Sequence, residues 1–264
     1  MTRRLDTTVA LVTGASSGIG EAAARALAAE GSAVALVARR KDRLDALAAE
    51  LADADADADP DADGGGRVLA IEADITDQDQ AVAAVKRTVA ELGRLDTVVN
   101  NAGVMLLGPI VDAPTDEWDR MVSLNLQGLL YVAHAALPHL LDAAETSPRR
   151  VADLVNVSSV AGRVARSGAG VYNLTKHGVG AFSESLRQEV TSRHVRVSLV
   201  EPGAVATELA THLRPEARER HRERFGDLEI LRSRDIADAI TYIVTRPRHV
   251  AINEILIRPT EQEG

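Results

Sequence analysis

Tyr172 and Lys176, in the stretch YNLTK (172–176), are the pair in this sequence best suited to move a proton. On a helix, a spacing of four puts the phenol and the ammonium on one face, one turn apart. A free phenol has a pKa of about 10, and a nearby ammonium favours its ionised form. Such a pair is expected to give a proton to an oxygen that gains negative charge during a reaction. Ser159 ends NVSS (156–159), 13 residues before Tyr172. Its hydroxyl would hydrogen-bond that same oxygen. Alone, a YxxxK pair reads as a half-buried helix tyrosine and a surface lysine, and a single serine as a turn residue. The surrounding motifs decide between the two readings.

TGASSGIG (13–20) follows a short apolar run and precedes an Ala-rich amphipathic stretch. Gly14, Gly18 and Gly20 let a strand turn tightly into a helix whose free N–H groups face an anion, and Ser16, Ser17 and Ile19 share the loop. This pattern seats a dinucleotide pyrophosphate. An acidic residue about 20 positions further on would accept a ribose 2′-hydroxyl and repel a 2′-phosphate. That place is Ala38, followed by Arg39 and Arg40. Guanidinium forks suit phosphate, so the expected cofactor is NADP(H) rather than NAD(H). The competing reading makes both arginines surface charges and leaves either cofactor open.

These groups need a scaffold that brings them together. TVALVTG (8–14), AVALVA (33–38), RVLAIEAD (67–74), LDTVVNNAG (95–103), VADLVNVSS (151–159), VRVSLVEPG (195–203) and NEILIRP (253–259) read as strands. Helical patterns at 20–31, 43–52, 77–92, 115–142, 171–192 and 235–246 separate them. The alternation predicts an α/β fold over 1–264 as one domain: a doubly wound parallel sheet of about seven strands with helices on both faces. Ligands of such sheets bind at the C-terminal strand edge, where Ser159 falls.

Six of the 39 acidic residues are aspartates in ADADADADPDAD (52–63). With GGG (64–66), this stretch is expected to form a solvated loop insertion over 52–66. Its spacing does not match an acidic calcium loop. The net charge of −9 is therefore largely local and makes no electrostatic case for nucleic acid. The absence of cysteine excludes disulfides and thiolate metal sites, and no metal is expected. The apolar run near the start is too short for a signal peptide or a membrane span. The expectation is a cytoplasmic protein with no membrane partner.

With these motifs in order, the sequence resembles the short-chain dehydrogenase/reductase (SDR) family over essentially its whole length. The resemblance rests on TGASSGIG, Asp74, NNAG (100–103), Asn125 in SLNLQG, Ser159, Tyr172 with Lys176, and PGAVAT (202–207). It implies a Rossmann fold in which Asn125, Ser159, Tyr172 and Lys176 are catalytic. It also implies that Asp74, Ile75, Asn101, Ala102, Gly103, Pro202, Gly203 and Thr207 join the glycine loop and the arginines in holding the cofactor, together with Tyr172 and Lys176. Asp74 would bind the adenine, Lys176 would hold the nicotinamide ribose, and Asn125 would position a water that relays protons to Lys176. On residue type alone, Asp74 also reads as a cap for the helix near Asp77, and Asn125 as a kink or cap. NNAGVMLLGP, SSVAGRV, FSESLRQEV and EILIRPT look like the clavulanate dehydrogenase branch, and the C-terminal part is also similar to the 3-hydroxy acid dehydrogenase branch. Leu174 departs from the small residue usual there and is expected to narrow the helix's approach to its neighbours. Family members usually form tetramers, so a homotetramer, or a homodimer, is implied.

The same resemblance makes residues 207–226 a lid over the site. Arg163 or Arg166, or one of Arg214, Arg218, Arg220, Arg222 and Arg224 in the lid, is expected to bind a substrate carboxylate. The competing reading of the lid is a solvated, self-paired helix face. Met105, Leu106 and Leu107 would flank the nicotinamide end, and aromatics at 2% leave little to stack on a large planar substrate. The expected activity is NADPH-dependent reduction of an aldehyde or ketone of small or medium polar character, with Tyr172 as general acid. The alternatives are a 3-hydroxy acid or alcohol dehydrogenase working oxidatively, and a non-catalytic NADP(H)-sensing regulator, which would not need all four catalytic residues. A sugar-nucleotide epimerase or dehydratase has little room in 264 residues.

Overall fold

The computed structural model describes residues 3–56, 67–111 and 113–263. Its strands are β1 (Val9–Thr13), β2 (Ala33–Ala38), β3 (Val68–Glu72), β4 (Thr97–Asn100), β5 (Ala152–Val157), β6 (Val195–Pro202), β7 (Val205–Ala206), β8 (Leu231–Arg232) and β9 (Glu254–Ile257). Seven of them form one parallel sheet in the order β3-β2-β1-β4-β5-β6-β9, and β7 with β8 makes a separate two-stranded pair. β1, β4, β5 and β6 are buried at every position, so β1 is a continuous apolar run, while the polar residues of β5 and β6, among them Asp153, Arg196 and Glu201, find partners inside the protein.

Helices cover both faces. Alternate residues of β1 sort to opposite sides: Val9 and Leu11 pack with α3 (Gln78–Leu92), α5 (Leu129–Thr146) and α6 (Gly170–Val190), while Ala10 and Val12 pack with α1 (Gly18–Ala29), α2 (Lys41–Ala56) and α8 (Ser233–Val244). Two shorter helices, α4 (Thr115–Val122) and α7 (Pro215–Phe225), flank the C-terminal edge of the sheet. The chain winds outward from β1 through β3, then returns to start β4 beside β1. That reversal opens the crevice in which such sheets bind ligands.

Two expectations are corrected. The helical pattern at 115–142 is not one helix: α4 and α5 are joined by a π-helical turn, Ser123–Gly128, with Asn125 buried inside it. The second helix does not stop at 52 but runs to Ala56, since no glycine or proline interrupts the Ala-Asp alternation before Pro60. The remainder of the expected insertion, 57–66, lies outside the described residues.

Candidate active site

The glycine loop cannot take a side chain at Gly14 or Gly20. Gly14 has φ +68°, and a Cβ there would sit 2.9 Å from Ala102 Cα. A Cβ at Gly20 would collide with the Gly14 carbonyl. The loop and the NNAG segment therefore touch backbone to backbone. Thr13 Oγ1 fixes that contact by accepting from Asn101 N at 3.0 Å and Ala102 N at 3.1 Å, while Asn101 Nδ2 donates to Thr13 O at 3.0 Å. The result is a bare cradle at the start of α1, facing a cleft of about 600 Å³. It suits the close approach of a pyrophosphate.

Of the sequence-predicted cofactor residues, all but Gly20 line this cleft. Arg40 Nη2 donates to Ser16 Oγ at 2.9 Å and Ser17 Oγ at 2.7 Å, which ties the end of β2 to the glycine loop. Its Nη1 pairs with Glu208 at 2.8 Å, and Arg43 pairs with the other oxygen of the same carboxylate at 2.7 Å. Hydrogen bonds from Arg40 and Arg43 hold Glu208 at a pKa of about 2. Sequence reasoning missed both Arg43 and Glu208. Arg39 is more exposed, with Nη1 3.8 Å from Asp74. Asp74 lines the cleft and also accepts from Thr76 N and Oγ1. The helix cap itself is Asp77, which accepts from Gln80 N.

Tyr172 and Lys176 meet Ser159 on the cleft wall. Lys176 Nζ lies 5.9 Å from the Tyr172 ring centroid and donates to Val157 O at 2.9 Å. Ser158 Oγ donates to Lys176 O at 3.0 Å, so α6 is fastened to the end of β5 at two points. Ser159 Oγ accepts from Ala161 N at 3.1 Å. Beneath them, Asn100 Nδ2 donates to Asn156 Oδ1, and Asn156 Nδ2 to Ser183 Oγ, a buried polar chain linking β4, β5 and α6. These two bonds tie the strand ends to α6, although Asn100 Oδ1 is buried without a partner among the described residues.

The electrostatics differ from the expectation. Burial pushes the Tyr172 phenol up to about 12, with the Ser159 hydrogen bond acting in the opposite direction. Burial also pushes Lys176 down to about 8. In the protein alone, desolvation therefore outweighs any help the ammonium gives the phenol. Asn125 lies under the cleft rather than in its wall. Its Oδ1 accepts from Val104 N at 2.8 Å, and its Nδ2 donates to Val104 O at 2.9 Å and Thr175 Oγ1 at 3.2 Å. A Cβ on Gly103 would be 3.3 Å from Asn125 Oδ1 and 3.8 Å from Lys176 Nζ, so the amide and the ammonium flank one glycine.

Arg163, one of the arginines expected on the substrate side, and Leu174, expected to narrow the approach of α6 to its neighbours, stand elsewhere than expected. Arg163 does not line the cleft: its Nε sits 2.8 Å from both oxygens of Glu201, and it also pairs with Glu254. Glu201 is only 1% exposed, and a buried carboxylate on β6 requires a counter-charge. Leu174 is 61% exposed and does not crowd the packing of α6 within the chain. Arg166 and Met105 do line the cleft. Asn173, which the sequence reading passed over, shapes the loop bearing Arg166. Its Nδ2 donates to Ala161 O and Val164 O, and its Oδ1 accepts from Arg166 N. The available signal was an asparagine directly after the reactive tyrosine.

A glycine turn opening onto the switch point of a doubly wound sheet is a nucleotide-binding arrangement, and the serine, tyrosine and lysine gathered there make it that of an oxidoreductase. Residues 8–218 match the model of the short chain dehydrogenase family, and the chain belongs to that family. An uncharacterised oxidoreductase of Staphylococcus aureus (strain MRSA252) is 35% identical over 251 residues, covering 95% of this chain and 96% of that protein. Among solved structures, an alcohol dehydrogenase from the archaeon Thermococcus sibiricus complexed with 5-hydroxy-NADP superposes with a TM-score of 0.81 at 27% identity, covering 97% of this chain and 98% of the other. A 3-ketoacyl-(acyl-carrier-protein) reductase from Brucella melitensis complexed with NADH gives 0.80 at 27% identity, covering 96% and 98%.

Proposed function

We propose that this short-chain dehydrogenase reduces an aldehyde or ketone to the alcohol with NADPH, Tyr172 giving the proton to the carbonyl oxygen. The observation that carries this is the convergence of Ser159, Tyr172 and Lys176 on the cleft that the glycine cradle also faces. When bound, NADPH would supply the hydride. The phenol is protonated at neutral pH, as a proton donor must be. Ser159 orients the carbonyl oxygen and stabilises the charge it gains. Lys176 holds the nicotinamide ribose, and Asn125, beside it at Gly103, organises the water that returns a proton to the lysine. NADP(H) is favoured over NAD(H) because Ala38 offers no carboxylate to a 2′-hydroxyl, while Arg39 and Arg40 line the same end of the cleft. A panel of aldehydes and ketones assayed with NADPH and NADH side by side tests the proposal. Turnover with NADPH is expected to lead, and turnover confined to NADH would overturn the cofactor choice.

The same site runs in reverse, so oxidation of a 3-hydroxy acid or other alcohol with NADP+ is the second reading, in keeping with the C-terminal likeness noted above and decided by the equilibrium and by substrate supply. The resemblance of several segments to the clavulanate dehydrogenase branch supports a polar, secondary-metabolite-like substrate. Homotetramer formation, or dimerisation, rests on family habit and on exposed Leu130 and Leu174 on the long helices. Light scattering would measure it. No helix among the described residues is long and apolar enough to cross a membrane, and we place the protein in the cytoplasm, in keeping with its lack of cysteine.

A further inference from the structure

The cleft lining falls into two parts with opposite treatment of charge. Around the cofactor end lie two carboxylates, Asp74 and Glu208, each beside arginine. The rest of the lining, which includes Ser159, Tyr172 and Lys176, contains Arg166, Arg220, Arg224 and His221 and no carboxylate among the described residues, while His212 lies within electrostatic reach of Glu208, Arg40 and Arg39.

The helix α7 makes this sorting visible. Ala217, Arg220, His221, Arg224 and Phe225 face the cleft, the spacing of one helical stripe. The helix's acidic residues, Glu216, Glu219 and Glu223, are absent from that stripe. The other lid arginines are engaged elsewhere. Arg214 pairs with Glu117 at 3.0 Å, Arg218 donates to Leu213 O at 3.2 Å, and Arg222 pairs with Glu219. Arg166, Arg220 and Arg224 have no ion pair among the described residues. Burial holds both imidazoles below their ordinary value, so the charge at neutral pH comes from the three guanidiniums together with the Lys176 ammonium. A self-paired, solvated helix would leave its cations distributed among its acids. Here those without an ion pair are collected on the face turned to the cleft, Arg224 lying over the Phe225 ring at 5.2 Å.

We infer that the substrate is an anionic carbonyl compound whose carboxylate is bound by Arg166, Arg220 and Arg224 while its carbonyl lies at Ser159 and Tyr172. The inference rests on the carbonyl-reductase reading above and adds the substrate class. The same cleft is lined by Met105, Leu107 and Ala217, apolar surface that fits a short carbon chain. A guanidinium matches a carboxylate through two parallel N–H bonds.

The test compares 4-oxobutanoate with its methyl ester, both assayed with NADPH. In the unmodified enzyme the acid should give the higher kcat/KM. Arg220→Ala and Arg224→Ala together should lower the acid-to-ester ratio about tenfold, through KM rather than kcat, as expected for loss of a charge-assisted hydrogen bond. Arg222→Ala, on the opposite face, should leave the ratio where it was. Added salt should lower the ratio as well, because the two lid arginines are exposed to screening. An ester reduced as well as the acid, with a ratio unmoved by the double substitution, overturns the inference and leaves carbonyl reduction standing. Failure to reduce either compound counts instead against the reaction. In that case calorimetric titration of the NADP-loaded enzyme with butanedioate decides: binding weakened by the double substitution supports the anion site, and no binding overturns it.

Discussion

The sheet treats buried charge in two opposite ways, and the second is confined to Tyr172 and Lys176 at its C-terminal edge. At the N-terminal edge, Asp96 and Asp153 are fully buried, and each carboxylate is closed off by arginine. Arg94 meets Asp96 at 2.7 Å. Arg196 meets Asp153 through two bonds of 2.7 and 2.9 Å, with Arg149 3.6 Å away. Arg196 also donates to the carbonyls of Val244 and Val250, tying down the chain after α8. At the C-terminal edge, Glu201 is closed off in the same way by Arg163, but Tyr172 and Lys176, nearly as buried, have no ion-pair partner among the described residues, and both face the cleft. Groups with their hydrogen-bonding and charge needs met hold structure. Groups displaced from their ordinary pKa and left open to a cavity are available to a ligand.

Substitutions at the two edges should therefore fail differently. Tyr172→Phe should lower kcat by about a hundredfold to ten-thousandfold, the range for loss of a positioned proton donor, with NADPH affinity by fluorescence titration nearly unchanged. Full turnover in that variant would dissolve the distinction. Asp153→Ala should do the reverse. Stranding Arg196 in the interior should lower unfolding free energy by about 3–5 kcal/mol, read from denaturant titration, while the folded fraction keeps its kcat. Arg40→Ala should weaken NADPH about tenfold or more through loss of a charged hydrogen bond, and NADH far less.

Lys176 gives the comparison a pH signature. Its folded value of about 8 lies below the ordinary one, so the ammonium is present below that pH and lost above it. The kcat/KM for NADPH, which reports the free enzyme, should fall as pH rises through about 8, and Lys176→Met should remove that limb. The smallest effect is expected at Glu208. Removing its charge with Glu208→Gln should tighten NADPH about threefold relative to NADH, by releasing two arginines from an exposed pair worth about 1 kcal/mol or less. Weaker NADPH binding would show instead that Glu208 aligns them.

The sheet was legible because most of its strands carry β-branched apolar runs bounded by turns. AVALVA coincides with β2 residue for residue. The glycine turn was legible because its constraint is steric and local. What escaped was set by contacts distant in sequence. Arg40 meets Glu208 across 168 positions, so a residue assigned to phosphate was not seen to have an internal partner. Arg163 read as a free cation in a polar loop, although the acidic residue inside VRVSLVEPG was a sign that a buried carboxylate needed one. The pairing of Asn125 with Val104 shares its place with the break in the 115–142 pattern, and hydrophobic periodicity carries no trace of either.

That break has a consequence for how the chain tolerates changes in length. A π-turn is one residue more than an α-helix needs to climb the same distance. Removing the surplus residue from Ser123–Gly128 would let the segment close into regular helix with the helices on either side still in phase. Met121, packed against Tyr172, and Leu140, packed under the sheet, would then both still face inward. The loss would fall on the widened turn itself, which carries Asn125 to Val104, so the extra residue serves the floor of the cleft and not the core.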